Sequence, residues 1–201
     1  QKLIEEGKAL AALELKLEPS QMSYANGEFR SAESKRVVKL ADLAKTQLVK
    51  VVAEGKFGST YPNGCHIAEV EVDAETGVAR IVRYSAVDDC GAVINHAIVE
   101  GQLHGGVVQG VGQVFGEHIV YDRESGQPLT ASFMDYCMPR AGMLRELRGE
   151  EHPTPSKISP LGVKGVGESG CTASLPVLVG AVIDALRPLG ISHLDMPLKP
   201  S

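Results

Sequence analysis

The apolar positions of the chain change period several times, and each change marks an element. Lys2–Leu15 places Leu3, Ile4, Leu10, Ala11 and Leu15 among Glu and Lys, the spacing of an amphipathic helix, with Pro19 as its stop. Gln21–Arg30 turns at Asn26-Gly27, the strongest short hairpin signal. Val37–Thr46 reads as a strand running into a short helix, with Lys39, a poor N-cap residue, at the boundary. Gln47–Gly55, with Leu48, Val49, Val51 and Val52, predicts a strand, and Phe57–Gly64 a Gly/Pro/Asn loop.

A clear period of two follows. In His66–Asp73 the apolar Ile67, Val70 and Val72 stand against Glu69, Glu71 and Asp73; Asp73–Gly77 supplies a turn, and Val78–Val87 returns as the partner strand. Asp88-Asp89-Cys90-Gly91 then interrupts. Two carboxylates are too few oxygens for a hard cation, so this reads as a turn. Asn95 is a good N-cap for a helix over Ala97–Phe115. Glycines at 101, 105, 106, 110, 112 and 116 run through or end that helix. An interior glycine costs about 0.5–1 kcal/mol against alanine, so propensity does not keep them there. Two explanations stand. Pairs such as Gly101/Gly105 and Gly106/Gly110 let a second helix pack closely, or the helix breaks at Gln109–Gln113 and its backbone lines a ligand.

Beyond this helix, Glu117–Asp122 predicts a strand before a turn at Arg123–Gly126, and Met143–Pro160 a polar surface connection with a short strand at Lys157-Ile158. Ala173–Leu186 predicts a second apolar helix, with Pro176 near its start and Pro188 and Gly190 at its end. Ile191–Pro200 reads as a strand and an extended tail. The sum is an α+β chain in two pieces. Residues 1–60 hold a helix, a hairpin and a strand–helix piece; residues 61–201 hold the long hairpin, the glycine-rich helix and a loop–helix.

Composition narrows the function classes. Of 201 residues, 22% are charged and 43% hydrophobic, an ordinary balance, and the net charge of −5 with no Lys/Arg cluster argues against a nucleic-acid surface. The four cysteines (65, 90, 137 and 171) form no C-x-x-C, so neither a zinc nor an iron–sulfur pattern is encoded, and they are expected to be buried, reduced thiols of a cytoplasmic protein. No signal peptide opens the chain, and no charge-free apolar run long enough for a membrane span is evident. An opening at Gln1 directly into a helical pattern suggests a fragment or one piece of a split subunit.

One stretch concentrates candidate chemistry. Gly162-Val-Lys-Gly-Val-Gly-Glu168-Ser-Gly170 packs four glycines around a single carboxylate, just before the second helix. Such a loop brings backbone close to a bound group and aims free N–H groups at it, so Glu168 is the catalytic candidate. Gly165-x-Gly167-x-x-Gly170 matches the dinucleotide fingerprint, but no buried strand precedes it and no acidic strand end follows at the required distance. The order of Lys164, Gly165 and Ser169 fails a phosphate-binding P-loop, and no G-x-S-x-G is present for a serine hydrolase. His104 and His118, near the glycine-rich helix, read as structural or surface residues, and Glu117 gives no basis for a two-carboxylate mechanism.

Four segments occur together in order: Val87-Asp-Asp-Cys-Gly-Ala-Val-Ile-Asn95, Val99–Gln113, Ser132-Phe-Met-Asp-Tyr-Cys-Met-Pro-Arg140 and Gly162–Glu168. The chain resembles the C-terminal part of the large subunit of the molybdenum hydroxylases, the xanthine dehydrogenase, aldehyde oxidoreductase and carbon monoxide dehydrogenase family. The wording of the last two segments is similar to the carbon monoxide dehydrogenase-like branch. The resemblance runs over essentially the whole chain, although the family subunit is several times longer, and His96 stands where a proline is common.

The resemblance implies a domain that holds molybdenum on a pyranopterin, in bacteria often as the cytosine dinucleotide, with no direct protein ligand to the metal. Glu168 falls on the family glutamate, similar to a general base that takes a proton from a hydroxyl on the metal. Gln109, Gly110, Gly112 and Gln113 fall on a cofactor-contacting run, which tips the glycine-rich helix toward the ligand reading; Lys164, Gly165 and Gly167 fall on the loop that faces the cofactor. The implied activity is hydroxylation of an aldehyde, an N-heterocycle or a similar small substrate with water-derived oxygen, or oxidation of CO. The implied partners are the rest of the large subunit, an iron–sulfur subunit and a flavin (FAD) subunit, with no nucleic acid and no membrane span. A non-catalytic remnant or assembly module without its own cofactor is the alternative.

Overall fold

The computed structural model describes residues 1–46, 51–52, 54–55 and 58–200, and the chain forms two compact units, Gln1–Lys56 and Phe57–Ser201. Most of the predicted strand over Gln47–Gly55 lies outside the described residues.

In the first unit, helix α1 (Lys2–Leu15) packs with a three-stranded antiparallel meander, β1 (Ser23–Ala25), β2 (Glu28–Ser31) and β3 (Ser34–Lys39), and β3 runs directly into α2 (Leu40–Thr46). Helix α1 stops before Pro19 is reached. Lys16 adopts the left-handed conformation (φ 57°), and the Leu17 N–H returns to the Ala12 carbonyl at 2.9 Å, closing the last turn. Asn26 (φ 51°) and Gly27 (φ 80°) both take positive φ, the geometry that a two-residue hairpin requires. The core is Ala11, Ala12, Met22, Phe29, Val38 and Leu43.

The second unit is built on a long antiparallel hairpin, β4 (Asn63–Val72) and β5 (Ala79–Asp89). Its turn is set by Asp73, whose Oδ1 accepts from the Thr76 N–H and hydroxyl, both at 2.8 Å, with Gly77 at φ 70°. The inward residues of β4 are His66, Ala68, Val70 and Val72, so Ile67 faces out and is exposed, contrary to the predicted apolar face. Opposite Glu69 and Val70, strand β5 carries Val82 as an extra residue; this bulge keeps Ile81, Tyr84, Ala86 and Asp88 directed inward.

A third strand, β6 (Leu147–Glu151), pairs parallel to β5, with Tyr84 opposite Leu147. The sequence pattern predicts a surface connection here and a strand at Lys157-Ile158 instead. Leu147-Arg-Gly-Glu-Glu151 is an edge strand with one apolar residue, so it carries no periodic signal. Glu117–Asp122 forms a single bridge, Tyr121 with Pro128, and Ile191–Pro200 forms no strand; the Leu198 N–H instead donates to the Val114 carbonyl at 2.6 Å.

Helices α3 (His96–Phe115) and α4 (Ser169–Leu186) cross over one face of the sheet. Tyr84, Val107, Val111, Val114 and Leu178 are fully buried there, each contributing about 1.5–3 kcal/mol of apolar burial. Asn95 caps α3 by accepting from the Ile98 N–H at 3.2 Å. Helix α3 is continuous through Gln109–Gln113, so the expected break is absent. Gly106 and Gly110 are packing glycines. A Cβ at Gly106 would stand 2.8 Å from the Cys171 backbone nitrogen, and one at Gly110 would stand 2.7 Å from Ser174 Cβ. Gly101 and Gly105 face open space.

Helix α4 begins at Ser169, earlier than the predicted Ala173, which places Pro176 about two turns inside rather than near the start. Ser169–Leu189 is long and apolar enough, at a mean hydropathy of 1.6, to cross a membrane by length and composition. In this fold α4 lays one stripe, Gly170, Ser174, Leu178 and Val182, against the α3–β4 side of the unit.

Candidate functional site

The Gly162–Gly170 loop is tied at its base to the end of β5. Val163 bridges Gly91; the Ala92 N–H donates to the Gly162 carbonyl at 2.8 Å and the Lys164 N–H to the Cys90 carbonyl at 2.7 Å. Gly91 and Gly162 both have φ 71°, a left-handed conformation that a side chain would strain. Beneath this crossing lies an ion pair. Lys164 Nζ donates to Asp89 Oδ2 at 2.5 Å, while Asp89 Oδ1 accepts from the Gly91 and Thr154 N–H groups, both at 2.9 Å. Both side chains are about nine-tenths buried. Burial pushes the Asp89 carboxyl up, but the Lys164 ammonium and the two N–H donors outweigh it and hold the group well below the usual carboxylate range.

Beyond that anchor the loop is open. Glu168 is the N-cap residue of α4 (φ −109°, ψ −3°); its side chain makes no capping bond, and it is exposed. Gly165, Gly167 and Glu168 line a cavity of about 660 Å³, shared with the 59–64 segment, His66, Asp88 and the first turns of α4. Gly165 and Gly167 have no positive φ, and a Cβ on either would come no nearer to the described chain than Gln102 Oε1, at 3.6 Å from Gly167. Neither backbone strain nor close packing explains these glycines. Their bare backbone is open to a bound group. The N–H groups of Gly165, Val166, Gly167 and Glu168 donate to no acceptor among the described residues.

The predicted site residues therefore divide. Glu168, Gly165 and Gly167 share the cavity. Lys164 belongs to the same loop, but its ammonium is turned away to Asp89. Gln109, Gly110, Gly112 and Gln113 are not among the cavity's lining. Gln109 is exposed, Gly110 lies against Ser174, Gln113 is half-buried, and Gly112 lies under the Glu117 carboxylate, whose oxygens would stand 3.0 and 3.1 Å from a Cβ there. Of α3, Gln102 lies beside Gly167, and Leu103, Gly106 and Val107 lie against Gly170.

Three residues that sequence reasoning passes over form a chain behind the cavity wall. The Tyr84 hydroxyl lies 2.8 Å from His66 Nδ1, and His66 Nε2 lies 3.0 Å from Asp88 Oδ2. In the sequence pattern His66 is one position of an alternating strand and Asp88 is part of a turn. The hairpin register makes them diagonal neighbours on the inward face, since His66 pairs with Ala86 and Gly64 with Asp88. Among the described residues no group of three or more His, Cys, Asp or Glu could hold a metal. All four cysteines are free; Cys90 is buried and Cys171 half-buried, whereas Cys65 and Cys137 are exposed, unlike the expected buried thiols.

The unit is thus an α+β fold with a glycine-lined cavity at a helix N-terminus, with Glu168 exposed at its edge, Asp88 in its lining and open backbone N–H groups. Residues 1–144 match the molybdopterin cofactor-binding domain family. The carbon monoxide dehydrogenase large chain of Hydrogenophaga pseudoflava is 40% identical over 138 residues, 69% of this chain and 17% of that protein. Among solved structures, quinoline 2-oxidoreductase from Pseudomonas putida 86 superposes with a TM-score of 0.73 at 31% identity, covering 98% of this chain and 27% of that one. Reconstituted CO dehydrogenase from Oligotropha carboxidovorans gives 0.72 at 31% identity, covering 99% and 26%. The chain belongs to the molybdopterin-binding large-subunit family of the molybdenum hydroxylases, and it spans about a sixth to a quarter of the length of these relatives.

Proposed function

We propose that this chain is the part of a molybdenum-dependent oxidoreductase that delivers a general base, Glu168, to the cofactor. The observation that carries the reading is the pairing of an exposed, uncapped carboxylate with bare glycines in one cavity. A molybdenum-pyranopterin, bound with the rest of the large subunit, would supply two-electron redox chemistry at this cavity. The donor set fits such a group. The Gly165–Glu168 N–H groups would hold its oxygens, and Gly165 and Gly167 allow backbone approach. Glu168 Oε then takes a proton from a water-derived hydroxyl, and its attachment at the helix N-cap fixes where that proton goes. Lys164, tied to Asp89, holds the loop at its base so that the carboxylate is presented from a rigid anchor.

The base reading calls for a desolvated carboxylate, yet Glu168 is exposed in this chain alone. The covering surface is assigned to the remainder of the large subunit. Gln109 and Gln113 are assigned to contacts with the cofactor's outer portion, the cytosine dinucleotide form in this reading. The electrons leave through iron–sulfur and flavin subunits. The substrate is a small aldehyde, an N-heterocycle or CO, oxidised in the cytoplasm. Glu168→Gln in the assembled enzyme should abolish turnover while molybdenum and pterin content stay unchanged; retained turnover would overturn the assignment.

A further inference from the structure

We propose that Asp88 is a second ligand-binding residue of the Glu168 cavity, a fixed hydrogen-bond acceptor for an N–H or cationic donor group on the bound molecule, with His66 and Tyr84 as its positioning residues. This rests on the reading that the Glu168 cavity is where a ligand binds, but not on molybdenum chemistry.

Two hydrogen bonds link the three residues into one chain beside the cavity. An ionised carboxylate only accepts, so His66 Nε2 carries the hydrogen toward Asp88 Oδ2. His66 Nδ1 shares a hydrogen bond with the Tyr84 hydroxyl. Desolvation, then the nearby Asp88 charge, push the Tyr84 phenol upward, so it stays a donor. Every member is buried: Tyr84 is fully covered, and the His66 and Asp88 side chains are 1% and 7% exposed. The orientation of the His66 ring is thereby fixed, and the chain uses a single oxygen of Asp88.

The other oxygen has a different environment. Asp88 Oδ1 has no hydrogen-bond partner among the described residues, yet no fully buried side-chain polar atom among them is left unpaired. Oδ1 therefore keeps an opening. Its neighbour is Gly64, where any Cβ would collide with Oδ1, and Gly64 and Asp88 both line the Glu168 cavity. Gly64 leaves the space that the oxygen occupies. The cavity lining contains no Lys or Arg, and both His66 nitrogens are already hydrogen-bonded, so neither reaches Asp88 Oδ1. Tyr61, at a positive φ of 47° that a bulky residue rarely adopts, also lines this space. The cavity thus has a donor wall at Gly165–Glu168 and an acceptor wall at Asp88. A ligand with an N–H group on one edge and an acceptor on another matches both in hydrogen-bond polarity.

The test uses the full 201-residue chain without cofactor and two matched planar probes, benzamidinium and benzoate. Benzamidinium should bind by calorimetry and move the ¹⁵N resonances of the His66 ring, while benzoate leaves those resonances in place. Asp88→Asn should weaken benzamidinium about tenfold to a hundredfold, the loss of a charge-assisted hydrogen bond. His66→Gln, which offers an N–H donor to Asp88 without the ring, should restore most of the affinity lost in His66→Leu. Equal perturbation of His66 by both probes, or no binding of either at millimolar concentration, would overturn the proposal. The wild-type comparison needs no variant, so a folding defect in Asp88→Asn does not decide it. Because no molybdenum enters the assay, failure here leaves Glu168→Gln turnover as a separate measurement.

Discussion

Replacing Lys164 with Met removes the only cation that pairs with the buried Asp89 carboxylate among the described residues, while keeping the stem's volume. Asp89 would retain the Gly91 and Thr154 N–H donors at 2.9 Å but lose the ammonium. Breaking a buried pair from one side costs about 3–5 kcal/mol, and the two surviving donors place this case near the lower end, about 3 kcal/mol. With a urea slope of about 2 kcal/mol/M for a unit of this size, the unfolding midpoint of the second unit should fall by about 1.5 M. The chain has no Trp, so the transition is followed by far-UV circular dichroism, with near-UV tyrosine dichroism reporting the fully buried Tyr84. The pH dependence has a defined sign. The folded Asp89 carboxyl is depressed, so its contribution is complete above the unfolded value of 3.8 and is lost as the pH falls through the folded value. In Lys164→Met the acid limb should begin at higher pH. Lys164→Met/Asp89→Asn should recover part of the loss, because no unpaired charge remains. A midpoint shift below about 0.3 M for the single variant would refute the idea that this pair anchors the loop.

Other variants separate the roles of the α3 glycines and of its cap. Gly101→Ala and Gly105→Ala, where a Cβ meets nothing within 4 Å, should stabilise the chain by about 0.5–1 kcal/mol in urea titrations. Gly106→Ala and Gly110→Ala press on α4 and should destabilise it by about 1–3 kcal/mol; equal effects at all four positions would contradict the packing assignment. Asn95→Ala removes the acceptor for the Ile98 N–H and should cost about 1 kcal/mol, read as faster amide exchange in the first turn of α3.

Local chemistry makes several elements legible in the residues alone. The Asn26-Gly27 turn, the Asp73–Gly77 turn and the Asn95 cap each rest on groups within a few residues of one another. The cavity is only half legible. Glycine density around one carboxylate points to Gly165, Gly167 and Glu168, because that signal is contained in a single short stretch. The strand β6 is not visible, since its parallel partner lies some 60 residues away and supplies the register that its own sequence lacks. The family likeness draws Lys164 and the Gln109–Gln113 run into one site with Glu168. The fold turns the Lys164 charge into Asp89 and puts Gly110 against Ser174.

The sequence by itself determined the long helices and the two hairpins with their turns, because periodicity, turn residues and caps act over one or two turns of chain, but it did not separate strand from loop at Glu117–Asp122, Leu147–Glu151 or Ile191–Pro200. Tertiary structure alone decided which polar groups meet. His66, Tyr84 and Asp88 are separated by up to 22 residues and carry no common motif. Only the hairpin register, fixed by the bulge at Val82 and the packing of α3 and α4, brings them to one face behind Glu168. Hydrogen bonds act at about 3 Å, and at that scale a partner is chosen by the whole fold rather than by the neighbouring residues.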